Sequence, residues 1–572
     1  MLKRALRAAR KQCSVLIDAT RASSATRKIG VAVTNDDPLH PHNVRPTNPS
    51  IVPATSPKPK QCFKATRAAL AVVEIVDHIA SFLDAHDLLA FSRTHSFAFH
   101  AIAPRIWRRL PSLQPLVNLL PPDLDGLEDN LPKRWTFYTR QVNEITFDEC
   151  DARNQFPIPW TIFQHMANCK ILLPTLESVI WRCNTARCAT ALLYFVNDDT
   201  LRQLDIGLSD YFSVDIPEAR NVLAALTERN LRLVSCKLRM LEDTPLEHPV
   251  GDGLMHAVVK FLSSITTVRD LALSPSLLSQ DVFEALAQLS NISSFTIVGR
   301  DQSRSWPATI TQVERPEEAS RLPFHSLASV ETLHVGIATC NAMLQRSQLQ
   351  VLSNIKVWTT HLPQPQALVD FIGAVGLLPQ LKSLSLSVSA AIPLEHDRRE
   401  FALPAAALQP LFACTRMTAL ELFLACPTIL HADDAMRMAR AWPRLRLLRL
   451  AGAGCENIGF RSRLTFSTLL DFSETCPDLR VLQLDVNADL TGIDVEQLHH
   501  CSAQVMAKRC RLDHLDVGWS WWAPHGPSTE ELTDALLDIF PHGYMELKWD
   551  MQLPKHILKR WRDVRESVNM YQ

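Results

Sequence analysis

Few residues of this chain are spaced to do chemistry. The adjacent pair His499–His500 is the first candidate for metal ligation or acid–base work. Neighbours on a helix point to different faces, so the two cannot easily share one ion and read as solvated histidines. Cys183 and Cys188 are near enough in sequence to suggest zinc, but no C-x-x-C pair occurs and no second pair follows at ligand spacing. Cys476, just before Pro477, reads as a core thiol at a helix end rather than a nucleophile. The patterns G-x-S-x-G, H-E-x-x-H, G-x-G-x-x-G and the phosphate-binding P-loop are absent. These residues point to no catalytic group, no metal and no cofactor, and predict a protein that is not an enzyme.

Two loops carry residues suited to binding another macromolecule instead. Arg300 to Pro323 is long, polar and charged, with Trp306 inside it. Loops of that length in a compact array are often functional or disordered. Trp519 to Pro527 reads WSWWAPHGP and precedes a capping box at Ser528 and Glu531. Trp519, Trp521 and Trp522 stand just past an expected strand and are candidates for holding a target protein, since tryptophan is enriched at interaction hot spots. The competing reading is that these rings cap the core of the last structural unit.

The elements that must position these loops repeat along the chain. From about residue 142 an apolar residue, two spacers, an apolar residue, one spacer and a third apolar residue recur. Copies are Leu201-Leu204-Ile206, Val268-Leu271-Leu273, Ile292-Phe295-Ile297, Val330-Leu333-Val335, Leu381-Leu384-Leu386, Met417-Leu420-Leu422, Leu445-Leu448-Leu450, Leu479-Leu482-Leu484 and Leu512-Leu515-Val517. Weaker ones are Val142-Ile145-Phe147, Leu176-Val179-Trp181, Leu231-Val234-Cys236 and Tyr544-Leu547-Trp549. The last two apolar positions alternate with a polar residue, which is strand periodicity. Segments between copies carry apolar residues at helical spacing: Val282, Phe283, Leu286 and Leu289; Leu469, Leu470 and Phe472; Leu532, Leu536, Leu537 and Phe540. One strand and one helix per unit stack into a parallel sheet with helices on its other face. A single unit cannot offset its ordering entropy, but a stack can.

Size and composition agree. The 572 residues are 47% hydrophobic, which allows a sizeable core, and a net charge of −1 gives no reason to expect nucleic acid. Only 16 glycines occur, against an average usage of roughly 7%, which disfavours glycine-rich phosphate loops and a Rossmann-like alternative. No run of apolar residues is long enough to span a membrane. Cys150, Cys183, Cys236, Cys476 and Cys510 lie beside apolar runs and read as buried thiols in a reducing compartment, cytoplasmic or nuclear. The first sixty-odd residues differ in kind. They begin with the basic MLKRALRAARKQ and continue with Ser, Thr, Asn and many prolines, so they are expected to be disordered. A mitochondrial transit peptide would look similar, but Asp18 interrupts it early, and a solvated basic tail is the preferred reading.

Between tail and repeats, Val72, Ile75, Val76, Ile79 and Leu83 fall at helical spacing. Asp84 offers a cap for a second helix beginning near Asp87 and Leu88. Phe99, Ile102 and Ile106 continue a third stripe, in which Pro104 is expected to force a break or a fresh start. Glu74-Ile75, Ile79, Leu83, Asp87-Leu88, Phe97 or Phe99 and Ile106-Trp107 resemble the F-box motif, although Ala71-Val72 stands where that motif has Leu-Pro. The array after it is similar to leucine-rich repeats. The Asn/Cys position of that family falls on Cys150, Asn184 and Asn487, with Ser209 or Ser520 elsewhere.

The order of parts resembles the F-box proteins with leucine-rich repeats that are abundant in fungi. The resemblance implies a small all-α F-box before an irregular α/β solenoid: a tail over 1–66, F-box over 67–111, spacer over 112–140, repeats over 141–550 and a helical tail over 551–572. It further implies a substrate-recognition subunit of a Skp–cullin–F-box ubiquitin ligase. Val73, Ile75, Ile79, Leu83, Leu88 and Trp107 would dock a Skp-type adaptor bound to a cullin, and the repeats would bind an unknown target protein. The alternative is a repeat scaffold with no ligase role, in which 67–111 only caps the array.

Overall fold

A computed structural model describes residues 73–120, 133–151, 158, 160–169, 172–209, 217–241, 252–299, 321–390, 398–425, 428–452, 462–494, 498, 509–541 and 545–571. The expected N-terminal tail, Trp306 with most of its loop, and His499–His500 lie outside the described residues. The chain divides into two compact units, Met1–Arg109 and Leu110–Gln572.

The first unit holds three short helices, Val73–Ala80, Ala85–Ser92 and Ser96–Trp107. Asp84 begins the second, its Oδ1 accepting the Asp87 N–H at 2.9 Å, as the N-cap reading requires. Val76, Ala80, Ala98 and Ile102 form the buried core, with Leu88, Phe91, Phe97, Ala101 and Ile106 packed against it. Arg105 on the third helix pairs with Asp77 on the first at 2.7 Å.

Two expectations need correction in this unit. The helix expected to carry Ile75, Ile79 and Leu83 on one apolar side ends at Ala80, and the Phe82 N–H closes a turn onto the Ile79 carbonyl. Leu83 therefore leaves helical register. Val76 and Ala80, four residues apart, take the inner face and Ile79 is turned out. Pro104 does not break the third helix, which runs through it to Trp107. The proline sits on the exposed side, where water can replace the lost backbone bond.

The second unit is α/β, built on a parallel sheet of fifteen strands. The strands are β1 (Arg109–Leu110), β2 (Glu144–Asp148), β3 (Ser178–Cys183), β4 (Gln203–Ser209), β5 (Ser235–Leu241), β6 (Asp270–Leu273) and β7 (Ser294–Val298). A short β8 (Leu322–Pro323) stands aside, and β9 (Ser329–Leu333) resumes the sheet. After another short β10 (Ser347–Gln348) come β11 (Asn354–Thr359) and β12 (Ser383–Val388). A short β13 (Leu403–Pro404) precedes β14 (Ala419–Leu424), and β15 (Thr428–Ile429) precedes β16 (Leu447–Gly452). The sheet closes with β17 (Val481–Gln483), β18 (His514–Asp516) and β19 (Glu546–Lys548). Each long strand pairs only with its predecessor and successor, and the four short ones form two separate parallel pairs, β8 with β10 and β13 with β15.

The apolar pattern explains this one-dimensional order. Leu384, Leu420, Leu448 and Leu482 lie opposite one another in successive strands and all are fully buried. Each gains roughly 1.5–3 kcal/mol from burial, so neighbouring units stabilise each other. The helices turn their apolar sides to the same core: Val282, Phe283 and Leu286 in Gln280–Ala287, and Leu532, Leu536 and Ile539 in Thr529–Ile539. Hydroxyls pin one turn to the next. Thr200 donates to the Leu176 carbonyl at 2.8 Å, Thr267 to Leu233 at 2.7 Å and Ser326 to Ile292 at 2.7 Å. The expected Asn/Cys ladder is partial: Asn184 donates to Cys150 Sγ, Asn487 to the Ser462 carbonyl and Ser520 to the Val486 carbonyl.

Aromatic side chains fill the beginning of the core. Phe147 lies 4.6 Å from Trp181, and Trp181 5.5 Å from Phe195. The expected C-terminal tail is the helix Lys555–Tyr571, whose Ile557, Trp561, Val564 and Val568 are buried, so it closes the core at that end.

Two copies of the repeat are read in the wrong register from sequence, and a third is missed. Val330 pairs with Phe295, so Val330 and Thr332 point inward and Leu333 points out. Cys236 pairs with Leu204, which turns Val234 out of the core. Leu352, Ile355 and Val357 are an additional buried copy that carries β11. Cys150, expected to be buried, is exposed in the turn after β2.

Candidate functional site

The side of the sheet opposite the core is where side chains of successive strands line up in the open. In one row across the sheet run Asp205, Lys237, Ala272, Thr296, Glu331, Lys356, Ser385, Glu421, Arg449, Gln483, Asp516 and Lys548, of which the small Ala272 is buried. Opposite charges on neighbouring strands pair: Lys356 with Glu331 at 2.6 Å and Arg449 with Glu421 at 3.4 Å. Arg239 reaches Asp205 at 2.9 Å. The partly exposed Lys356–Glu331 and Arg449–Glu421 pairs are worth at most about 1 kcal/mol each, so they serve more as surface chemistry than as stabilisation, whereas Arg239 and Asp205 are more buried.

Two residues further along the strands the character changes. Val298, Leu333, Trp358, Ser387 and Phe423 follow one another in register. Trp358 is 39% exposed, a high value for a strand tryptophan, while Val298, Leu333 and Phe423 are half-buried. The Trp358 indole N–H donates to Ser389 Oγ at 3.2 Å, and the His334 ring lies 4.6 Å from the indole. His334 has φ +56°, a strained left-handed backbone for a non-glycine residue, of the kind that clusters at binding sites. A Cβ on Gly299 would meet the His334 carbonyl oxygen at 2.6 Å, so only glycine lets the end of β7 approach this bend.

At the C-terminal end of the sheet the surface turns acidic. Asp485, Asp516 and Asp550 lie on neighbouring strand ends. Asp485 accepts the Trp519 N–H at 2.8 Å and Asp516 accepts the Gly518 N–H at 2.9 Å. Gly518 has φ +57°, and a Cβ there would sit 2.0 Å from Asp485 Oδ1, so this carboxylate rests directly on the glycine. Burial, with the charges of Asp516 and Asp550 added, pushes the Asp485 carboxyl up to about 7 against the Trp519 hydrogen bond. Burial also raises Asp516.

The residues expected to hold a target sit differently from one another. Trp522 is 1% exposed: its ring meets Trp561 edge-on at 5.3 Å, Arg560 lies 4.3 Å over its face, and its N–H donates to the Pro527 carbonyl. It belongs to the terminal core and is corrected as a contact residue. The loop folds back because the Ser528–Glu531 capping box starts the next helix right after it. Trp519 and Trp521 are half-buried. Cys476 is buried, its thiol pushed up to about 12 by burial, which suits a core thiol and not a nucleophile. Among the described residues no cluster of histidine, cysteine and carboxylate could hold a metal, and no helix is long and apolar enough to cross a membrane.

Of the expected adaptor contacts, Ile79 is exposed and Leu83 and Trp107 are half-buried, while Leu88 packs against the small core. The side chains of Val73 and Ile75 lie outside the described residues. Sequence reading missed Phe82 and Leu89, both exposed, and it missed Trp358 altogether. The Leu352-Ile355-Val357 spacing is the signal that would have placed Trp358 on the outer face.

No family model matches the chain, and no curated protein matches it. Among solved structures it is similar to a chain of the Drosophila Toll–Spatzle complex, described as a molecular hub in development and innate immunity. The two are 13% identical with a TM-score of 0.28, over 75% of this chain; the match spans 61% of the other.

Proposed function

We propose that this protein is the non-catalytic substrate-recognition subunit of a Skp–cullin–F-box ubiquitin ligase. In this reading Val73 to Trp107 is an F-box and the strand array is a run of leucine-rich repeats that holds the target. One observation carries it. The first unit spends its few apolar residues on a very small core yet leaves Ile79, Phe82 and Leu89 exposed at 37%, 51% and 45%. Apolar side chains held in the open on a small helical unit mark a protein contact. Phe82 and Leu89 thus join Val73, Ile75, Ile79, Leu83, Leu88 and Trp107 as adaptor contacts. The second unit supplies the other requirement, a long open sheet face made of charged, polar and aromatic side chains. Trp519 and Trp521 at its C-terminal end remain candidate target contacts. Ubiquitin transfer belongs to the partner enzymes, and the place of work is cytoplasm or nucleus.

The test is co-precipitation of a Skp-type adaptor and cullin with the full chain. Ile79→Asp combined with Phe82→Asp puts charge on the docking side without entering the core, and adaptor capture should be lost. Thermal unfolding of the sheet unit should be unchanged. Full adaptor capture by that variant, or none by the natural chain, would leave a repeat scaffold without a ligase role.

A further inference from the structure

We propose that the open sheet face takes a cationic, amphipathic polypeptide segment, its apolar side chains lying on Trp358 and its neighbours and its Lys or Arg side chains on Asp485, Asp516 and Asp550. The inference rests on reading the array as a protein-binding surface, and adds which chemistry that surface selects.

The argument starts from the order of side chains along one row. Val298, Leu333, Trp358 and Phe423 give an apolar stretch crossing β7 to β14, and the acidic end begins two strands further on at Asp485. From Val298 to Asp485 is six strand-to-strand steps of roughly 4.8 Å, or about 29 Å. An extended segment of about nine residues covers that distance. The charge pattern sets the direction of the segment. Arg182 and Arg239, towards the N-terminal end, are neutralised by Asp148 and Asp205 at 3.2 and 2.9 Å. Lys548 and Arg449, the cations near the acidic end, are engaged with Glu546 at 3.3 Å and Glu421 at 3.4 Å. None of Asp485, Asp516 and Asp550 stands in an ion pair among the described residues, so carboxylates without an ion pair gather at this end, while Lys237, on the same face, lies two strands before the apolar stretch and outside the span. A cation seated beside Asp485 would favour its charged form against the burial that raises it. A phosphate backbone gains nothing from the carboxylates at this end, which favours a cationic polypeptide over nucleic acid as the occupant.

Trp358 is the anchor. Its ring is held by the hydrogen bond from its nitrogen to Ser389 and by the tilted His334 ring beside it, so little side-chain freedom is lost when a partner covers it. An aromatic that is both exposed and pre-positioned is the kind of residue that dominates an interface.

The experiment immobilises the full chain and selects from a displayed library of random peptides of about twelve residues, long enough for the span above. Enriched sequences should combine an aliphatic or aromatic cluster with Lys or Arg on one side of it. An enriched peptide, synthesised and titrated, should bind Trp358→Ser roughly thirtyfold more weakly. Asp485→Asn with Asp550→Asn should weaken it several-fold and flatten its salt dependence. Enrichment of acidic or uncharged peptides, no enrichment, or titrations indifferent to Trp358→Ser would overturn the inference. Adaptor co-precipitation is a separate readout. If the adaptor is captured and the peptides ignore Trp358, the receptor reading stands and this inference falls. If the peptides behave as stated and no adaptor is captured, the ligase reading falls and this inference stands.

Discussion

Replacing Leu448 by alanine should destabilise the sheet unit by about 3–5 kcal/mol, in the upper part of the range for buried leucine. Leu448 lies in β16 between Leu420 in β14 and Leu482 in β17, and all three are fully buried. The backbones on both sides are fixed by parallel ladders, and Met438 and Ala439 of the helix Ala432–Ala441 are fully buried behind them. Little can move in to fill the space left by the removed methyl groups, so the cavity term adds to the lost burial. The neighbouring Arg449 points to the open face, where its pair with Glu421 at 3.4 Å is partly solvated. Arg449→Ala should therefore cost under about 1 kcal/mol. Guanidinium unfolding compares the two, and hydrogen exchange of the β14, β16 and β17 amides shows whether the loss is local, as nearest-neighbour coupling in a stack requires. Equal destabilisation by the two variants would refute the assignment of faces. So would an exchange effect spread evenly from β2 to β19.

Trp522→Ala should cost about 3–5 kcal/mol and lower the unfolding temperature, because it removes a ring buried against Trp561; near-zero change would return Trp522 to the surface. Asp485 gives a pH dependence. Its native carboxyl is raised from 3.8 to about 7, so the protonated native form is fully stabilising below about 3.8, and that stability is lost as pH rises towards 7. The ceiling of the effect is about 4 kcal/mol. Asp485→Asn should gain stability over the natural chain at pH 8 and much less at pH 4, measured by thermal unfolding; an offset independent of pH would count against a raised carboxyl.

Sequence alone determined a great deal where a single local period governs. Alternation by two placed Leu384, Leu448 and Leu482 inward, with Ser385, Arg449 and Gln483 on the other side. Helical spacing found the buried faces of Gln280–Ala287 and Thr529–Ile539. Cap chemistry located the starts of helices at Asp84 and Ser528. These features depend on residues within a turn or two of one another, so the chain states them openly.

The candidate site depends on contacts between residues far apart in sequence, and only the tertiary structure decided it. Thr332, a polar residue, fills an inward position because its hydroxyl meets the Cys340 sulfur at 3.2 Å. A search for apolar triplets therefore slipped along β9 and put Leu333 inside. Tryptophans look alike as sequence, yet Trp522 is covered by a helix some forty residues later, while Trp358 is left open because its strand register turns it away from the core. The acid end forms only when strands separated by about thirty residues pair, bringing Asp485, Asp516 and Asp550 close enough for burial and like charge to raise one of them. Local period fixes which way a side chain points; what it meets there is set by the neighbouring units and the closing helix.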